Sequence, residues 1–370
     1  MKGTVHYETR GEIALLSIDN PPVNPLSSGV RQGLFDGMTK ALADEAVKAV
    51  VITGLNRAFI AGADISEFGA AASEGVGLGE ALEIMENSTK PVIAAINGTA
   101  FGGGLETALC CDYRIAAPTA PVGLPEVKLG LLPGAGGTQR LPRLIGAQAA
   151  LKAIVSGDPI MAPQAQKLGI VDRIAEGDIV EEGIKYAEEI VAAGSATRKI
   201  RDLTDKIAGD KGNTAVFENA AAQLNKTNRG QFAPAQILKC VEAAVNADSF
   251  DAGMAVEREC FAACMQDPQR EALIHIFFAE RAANKIPGLS KDDPLIDINK
   301  GSVIGSGTMG GGIAMCFANA GIPVRLHDNN AENLAKGLKV IEGNYARTVS
   351  KGRLTQEAMD KRMSLIIPTE

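Results

Sequence analysis

The apolar positions along the chain change their pattern twice. From Glu12 to about Gly169, short β-branched runs alternate with helical stretches and glycine-rich turns. Ile13–Ile18, Ala49–Thr53, Val92–Asn97 and Tyr113–Ala116 are each short, apolar and bounded by Gly, Asp, Asn or Pro, which is the pattern of buried strands. Ser28–Asp44 and Glu80–Asn87 read as helices between them, so this region is mixed α/β. From about Val180 to Lys285 the strand signal nearly vanishes. Ala, Glu, Lys and Arg dominate there, and apolar residues recur at helical spacing, as at Val256, Cys260, Phe261 and Cys264. Ile286–Pro294 contains Pro287, Gly288, Ser290 and Pro294 and reads as a linker.

A second α/β unit opens at Asn299. Its pattern predicts a strand at Ser302–Ile304, a glycine-rich turn, a helix to about Ala320 and a strand at Pro323–His327. A helix over Glu332–Val349 and a further helical piece follow, and a third strand starts at Leu365–Pro368. A doubly wound domain needs more strands than these, so the expectation is a fragment of a longer protein. The expected divisions are 1–190, an α/β domain; 191–295, a helical region with its linker; and 296–370, the first part of a Rossmann-type domain.

Composition narrows the partners. Hydrophobic residues make up 46% and charged residues 22%, ordinary for a globular protein with a proper core. The net charge of −7, from 37 basic and 44 acidic residues, argues against nucleic acid or an anionic membrane as the main partner. A polyanionic ligand would have to be met by a local cation or by backbone N–H groups. No apolar run of about 18 residues is present, so no membrane span is expected. Met1–Arg10 has no apolar core of the kind a signal peptide carries. The six cysteines (Cys110, Cys111, Cys240, Cys260, Cys264, Cys316) form no CxxC pair and are expected as reduced, buried thiols. His6, His275 and His327 lie far apart, and no metal site is expected.

Two strand-to-helix turns carry the first candidate chemistry. Ala58-Phe59-Ile60-Ala61-Gly62-Ala63-Asp64-Ile65 follows one strand, and Asn97-Gly98-Thr99-Ala100-Phe101-Gly102-Gly103-Gly104-Leu105-Glu106 follows another. Small residues let a ligand approach the backbone, and a helix N-terminus offers free N–H groups. Two such turns aimed at one oxygen make an oxyanion hole; taken singly, each reads equally well as tight helix-on-strand packing. Glu106 is a carboxylate in an otherwise apolar run, and Glu126 lies in a second one, Pro121–Lys128, ahead of a third glycine-rich turn, Leu132–Arg140. Each also reads as a salt-bridged glutamate, with Lys128 and Arg140 at hand. The first region holds only His6, so general acid–base chemistry there falls to carboxylates. Two carboxylates facing one oxyanion hole suit addition of water to a double bond conjugated with a carbonyl.

Asn20-Pro21-Pro22-Val23-Asn24, the AGADI and GGGLE turns, and the run Gly123–Arg143 closely resemble the enoyl-CoA hydratase/isomerase (crotonase) family, in order and spacing. The resemblance implies a spiral of β-β-α units and a coenzyme A thioester as substrate. It implies oxyanion N–H groups from Ala63 and Gly103, and a thioester path lined by Ala61, Asp64 and Ile65. It gives Glu106 the water and Glu126 the α-carbon proton, with double-bond isomerisation as a further activity. Arg57 reads either as a contact for a coenzyme A phosphate or as a solvated surface residue.

Gly305-Ser306-Gly307-Thr308-Met309-Gly310 fits G-x-G-x-x-G between a strand and a helix, and Asp328 ends the next strand about 20 residues on, where a ribose-binding acid belongs. Gly305, Gly307, Met309, Gly310 and Asp328 are therefore candidate contacts for a dinucleotide, and Asp328 favours NAD over NADP. This unit resembles the start of a 3-hydroxyacyl-CoA dehydrogenase domain. Ala272–Lys285 resembles the connecting helix of the multifunctional fatty-acid oxidation enzymes, which join both activities on one chain. His275, within it, is expected to be buried or at an interface and not catalytic. The reading is thus hydration of trans-2-enoyl-CoA, with oxidation of the product by NAD in the intact protein. A non-catalytic acyl-CoA-binding module and another crotonase-fold reaction are the alternatives. Oligomeric state stays open, and a bacterial cytoplasm is preferred to a peroxisome.

Overall fold

A computed structural model describes residues 2–64, 75–194, 197–283, 285–290, 293–294 and 296–369. The chain divides into two compact units, Met1–Asn284 and Lys285–Glu370.

The first unit starts with β1 (Thr4–Arg10) and β2 (Ile13–Asp19), followed by the helix Ser28–Ala43. Then the chain coils. β3 (Ala49–Gly54) and β4 (Ala58–Ile60) lead to the helix Leu78–Glu86. β5 (Val92–Ile96) and β6 (Thr99–Phe101) lead to the helix Gly103–Cys110. β7 (Tyr113–Ala116) and β8 (Pro121–Gly123) lead, through a tight turn at Glu126–Leu129, to the helix Gly137–Ile145. Each turn of the coil gives one strand to a large sheet, ordered β1-β2-β3-β5-β7 and then Arg173–Ile174 (β10), and the next to a small one, ordered β4-β6-β8 and then Ile160–Met161 (β9). β9 and β10 close the two sheets. This is the crotonase-type spiral of β-β-α units.

β3 and β5 are buried along their whole length, as apolar runs in parallel strands covered on both faces must be. Their side chains alternate between two cores. Val50 and Ile52 join the large interior, whereas Ala49 and Val51 pack with Ile184, Ala187 and Ile190 of the helix Ile179–Ala192. Burying one such Ile or Val contributes about 1.5–3 kcal/mol.

β1 pairs in antiparallel register with β2 along all of its length. His6 thus sits in a paired strand. Its residues are largely exposed, so no buried pattern announces the strand in the sequence. Beyond the spiral the helices Thr214–Thr227, Ala233–Asn246, Phe250–Gln266 and Pro268–Ala283 follow, an all-helical stretch as the sequence predicts.

The second unit holds β11 (Gly301–Ile304), the helix Thr308–Asn319, β12 (Val324–His327), the helices Ala331–Ser350 and Gln356–Ser364, and β13 (Ile366–Thr369). The three strands are parallel in the order β11-β12-β13. Among the described residues no helix is long and apolar enough to cross a membrane.

Candidate active site

The first turn is held by two asparagines. Asn24, with φ of 54° and almost no exposure, donates from its side chain to the carbonyls of Leu55 (2.9 Å) and Ala58 (2.8 Å). Its Oδ1 accepts from the Asn20 backbone at 2.9 Å. This lock places the 23–26 segment alongside the turn. Ala61 donates to Val23, Leu26 donates to Gly62, and Leu26 and Ala63 form a parallel bridge. The Ala63 backbone is thereby fixed before any ligand arrives.

The second turn runs from β6 into the helix Gly103–Cys110. Gly102 has φ of 54°, and a Cβ there would lie 2.9 Å from Oε1 of Glu126, so glycine answers both the backbone and the carboxylate. Gly103 is the first helical residue, where no preceding turn supplies a carbonyl to its N–H. A Cβ on Gly103 would fall 3.8 Å from the Ala63 nitrogen. The two turns therefore come close together at Ala63 and Gly103.

Ala61, Ala63, Gly103, Glu106 and Glu126 all line one cavity of about 600 Å³. Asp64 follows Ala63 on the turn, Ile65 lies outside the described residues, and Arg57 is exposed.

The two glutamates sit in different surroundings. Glu106 is 3% exposed, and its Oε1 accepts from the backbone N–H groups of Ala135 and Gly137, both at 2.8 Å. Burial raises its pKa, while the two N–H groups and the charge of Arg140 pull it back. Glu126 begins the tight turn Glu126–Leu129. The residue as a whole is half-buried, yet its Oε2 is shielded from solvent and has no protein hydrogen-bond partner among the described residues. Burial drives the Glu126 pKa well above the carboxylate range, and the charges of Glu106 and Glu257 push the same way. The bases considered as salt-bridge partners are engaged elsewhere. Lys128 pairs with Asp158, and Arg140 grips Glu86 through Nε and Nη2 at 2.8 and 2.9 Å.

Two features escaped the sequence reading. The cavity wall includes Phe261, Phe277 and Arg281, so two helices from beyond residue 190 reach the site. Glu257, fully buried, binds the same turn as Glu106. It falls four residues after Gly253 and three before Cys260, on the buried face of its helix, and that spacing was the available signal. His275 is exposed in this chain, so of the two expectations, burial or an interface, burial does not hold. Five cysteines are buried, and Cys316 is exposed.

In the second unit Gly305 has φ of 96°, and a Cβ on Gly310 would meet the Gly305 carbonyl oxygen at 1.8 Å. Only glycine allows that approach of helix to turn. Gly307 precedes the helix, and Met309 is 78% exposed on its first turn. Asp328 accepts from the Ser306 N–H (2.8 Å) and hydroxyl (2.7 Å), which hold its pKa below the usual range. The turn and the acid at the end of β12 are thus joined around a cavity of about 420 Å³.

Residues 8–233 match the family model described as enoyl-CoA hydratase/isomerase. The chain belongs to the enoyl-CoA hydratase/isomerase family. Residues 300–370 match the 3-hydroxyacyl-CoA dehydrogenase NAD binding domain. The peroxisomal bifunctional enzyme of Cavia porcellus is 42% identical over 92% of this chain and 47% of its own length. The human protein of that name is 41% identical over 92% and 47%. The Arabidopsis thaliana peroxisomal fatty acid beta-oxidation multifunctional protein AIM1 is 36% identical over 95% and 50%. The chain spans about half the length of the curated relatives it matches. Among solved structures, carnitinyl-CoA hydratase from Mycobacterium avium superposes with a TM-score of 0.56 at 28% identity, covering 76% of this chain and 97% of its own. The match to a hydratase/isomerase model followed by a dehydrogenase NAD-binding model agrees with the fused arrangement read from the sequence.

Proposed function

We propose that the first unit adds water to trans-2-enoyl-CoA, giving 3-hydroxyacyl-CoA, with Glu106 as base and Glu126 as acid. The carrying observation is the difference between the two carboxyls. Glu106 accepts two N–H donors near Arg140 and is the easier to ionise, whereas the Glu126 carboxyl has a shielded Oε2 with no partner among the described residues and is the easier to keep protonated. Environments that push two neighbouring carboxyls apart assign the acid and the base.

Glu106 takes a proton from water as the water oxygen bonds to the β-carbon. The π electrons move onto the thioester oxygen, where the Ala63 and Gly103 N–H groups hold the enolate. Such a donor is worth about 2.7–4 kcal/mol to the transition state. The enolate collapses as the α-carbon takes the Glu126 proton, and exchange with solvent resets both carboxyls. By the family resemblance Asp64 would line the thioester path beside Ala61, and Ile65, given the same role by that resemblance, lies outside the described residues. A proton shuttled by Glu126 between the α- and γ-carbons isomerises the double bond by the same device.

Gly305, Gly307, Met309, Gly310 and Asp328 would hold NAD, which supplies a hydride acceptor when bound. The Gly310–Gly305 approach fits a pyrophosphate at the helix N-terminus, and Asp328 suits a ribose hydroxyl. In the whole protein the 3-hydroxyacyl-CoA would be oxidised with NAD. In this reading 1–190 carries the hydratase chemistry, 191–295 is the helical region with its linker, and 296–370 begins the dehydrogenase. The peroxisomal relatives favour the peroxisome and lend no support to the preference for a bacterial cytoplasm.

Glu126→Gln tests the roles. Turnover of crotonyl-CoA is expected to fall by at least about 100-fold while acyl-CoA binding persists. Binding and turnover both unchanged would overturn them. Product mass separates hydration, which adds one water and keeps the thioester, from thioester hydrolysis or decarboxylation.

A further inference from the structure

We infer that Glu257, on the helix Phe250–Gln266, is a positioning residue for Glu106: it clamps the glycine-rich turn whose N–H groups carry the Glu106 carboxylate. The inference rests on the hydratase reading above and adds to it a residue beyond the 8–233 family match.

Four consecutive backbone N–H groups of the turn are shared between two carboxylates. Ala135 and Gly137 donate to Oε1 of Glu106, both at 2.8 Å. Gly136 donates to Oε1 of Glu257 at 2.7 Å, and Thr138 donates to Oε2 at 3.1 Å. The Thr138 hydroxyl also donates to Oε2, in a very short contact. Gly136, with φ of 95°, provides the left-handed residue that lets alternate N–H groups turn to different acceptors. The clamp is rigid at both ends. A Cβ on Gly253 would meet Oε1 of Gln139 at 2.2 Å, and one on Gly134 would meet the Phe261 ring at 2.7 Å, so the helix lies directly on the turn. Gln139 donates to the Cys240 carbonyl at 2.9 Å and ties in the helix Ala233–Asn246. Without Glu257, Gly136 and Thr138 would be buried donors lacking their acceptors, and the turn would relax away from Glu106.

Glu257 also contributes charge. Burial, then Glu106, pushes its pKa up to about 8, against the Thr138 and Gly136 donors and Arg140. The ionisable groups acting with it are Glu106 on the helix Gly103–Cys110, Arg140 on Gly137–Ile145, Glu126 on the neighbouring tight turn and Cys240 on Ala233–Asn246. Its negative charge raises the proton affinity of Glu126. As pH rises, an ionised Glu257 therefore helps Glu126 keep the proton it must deliver. Removing that charge moves the alkaline limb of the hydration profile to lower pH. The acid limb stays where it is, because Glu257 is already neutral there.

The test is Glu257→Gln in the full chain, with crotonyl-CoA hydration followed across pH and folding checked by thermal melting. The amide accepts at one atom only, so it leaves a donor of the turn facing its own NH2. The expected kcat is lower by about tenfold or more, with KM changed less than about twofold, because the turn positions the base and not the thioester. The alkaline limb moves to lower pH. Thr138→Val serves if Glu257→Gln does not fold. It removes one donor to Glu257, delays its ionisation and shifts the same limb the same way by less. A folded variant with wild-type kcat and profile overturns the inference, as does a loss equal at every pH with both limbs unmoved. Absence of turnover by the wild-type chain overturns the hydratase reading and this inference together.

Discussion

Glu106 and Glu126 share a residue type and a cavity, and only their neighbours separate them. Two backbone donors hold Glu106, whereas the shielded Oε2 of Glu126 has no protein partner among the described residues. That separation has a cost in stability that depends on pH. A carboxyl whose folded pKa is raised binds its proton more tightly in the native state. Its contribution is fully present below the unfolded value, about 4.3, and is lost as pH rises through the folded one. Glu126 is raised by burial first and by Glu106 second. Glu126→Gln removes the penalty for charging the site. The variant is therefore expected to melt higher than wild type, by a margin that widens as pH rises above the unfolded value of about 4.3 toward the raised folded one. Melting curves at several pH values check this, and a margin that stays constant contradicts the assigned proton affinity. At this scale the sequence was informative: both glutamates stood out as carboxylates in apolar runs. What it did not convey is that Lys128 and Arg140 are engaged by Asp158 and Glu86, which depends on contacts across 30 and 54 positions of chain.

Elements place these residues, and elements differ in how far they announce themselves. β3 and β5 were legible because continuous apolar runs between turn residues leave little other choice. β4, β6 and β8 are three residues each, too short for any period to show, although they form the sheet that carries both glycine-rich turns. Glu257 was legible in principle as a carboxylate on an apolar helical face, but one helix does not reveal which turn it meets. The helix Gly103–Cys110 illustrates how an element is anchored. Arg114, fully buried, donates to the carbonyls of Cys111 (2.8 Å) and Ile170 (2.8 Å) and approaches Asp172 at 3.4 Å. A cation at that C-terminus satisfies both the last carbonyls and the dipole. Arg114→Met strands the Cys111 and Ile170 acceptors and is expected to lower stability by about 3 kcal/mol. Urea unfolding measures this as a lower midpoint with an unchanged slope. A midpoint within error of wild type would remove Arg114 from the account of how Glu106 is held.

At the scale of the whole molecule, the chain divides into two compact units, each holding its own family match. The hydratase residues, the braces from the helical stretch and the cavity they line all belong to Met1–Asn284. The glycine-rich dinucleotide turn and Asp328 belong to Lys285–Glu370. The unit boundary at Lys285 falls beside Ile286–Pro294, whose Pro and Gly content reads as a linker. That the helices past 190 reach the cavity was not readable, because docking is a long-range contact that periodicity does not encode. The arrangement makes one claim above the rest: the first unit completes a hydratase without the cofactor of the second. The most direct test follows the absorbance of the conjugated enoyl thioester of crotonyl-CoA with the 370-residue chain and no NAD. The account predicts rapid loss of that absorbance and a product heavier by one water with its thioester intact. A folded chain that binds acyl-CoA yet leaves the absorbance unchanged would contradict it.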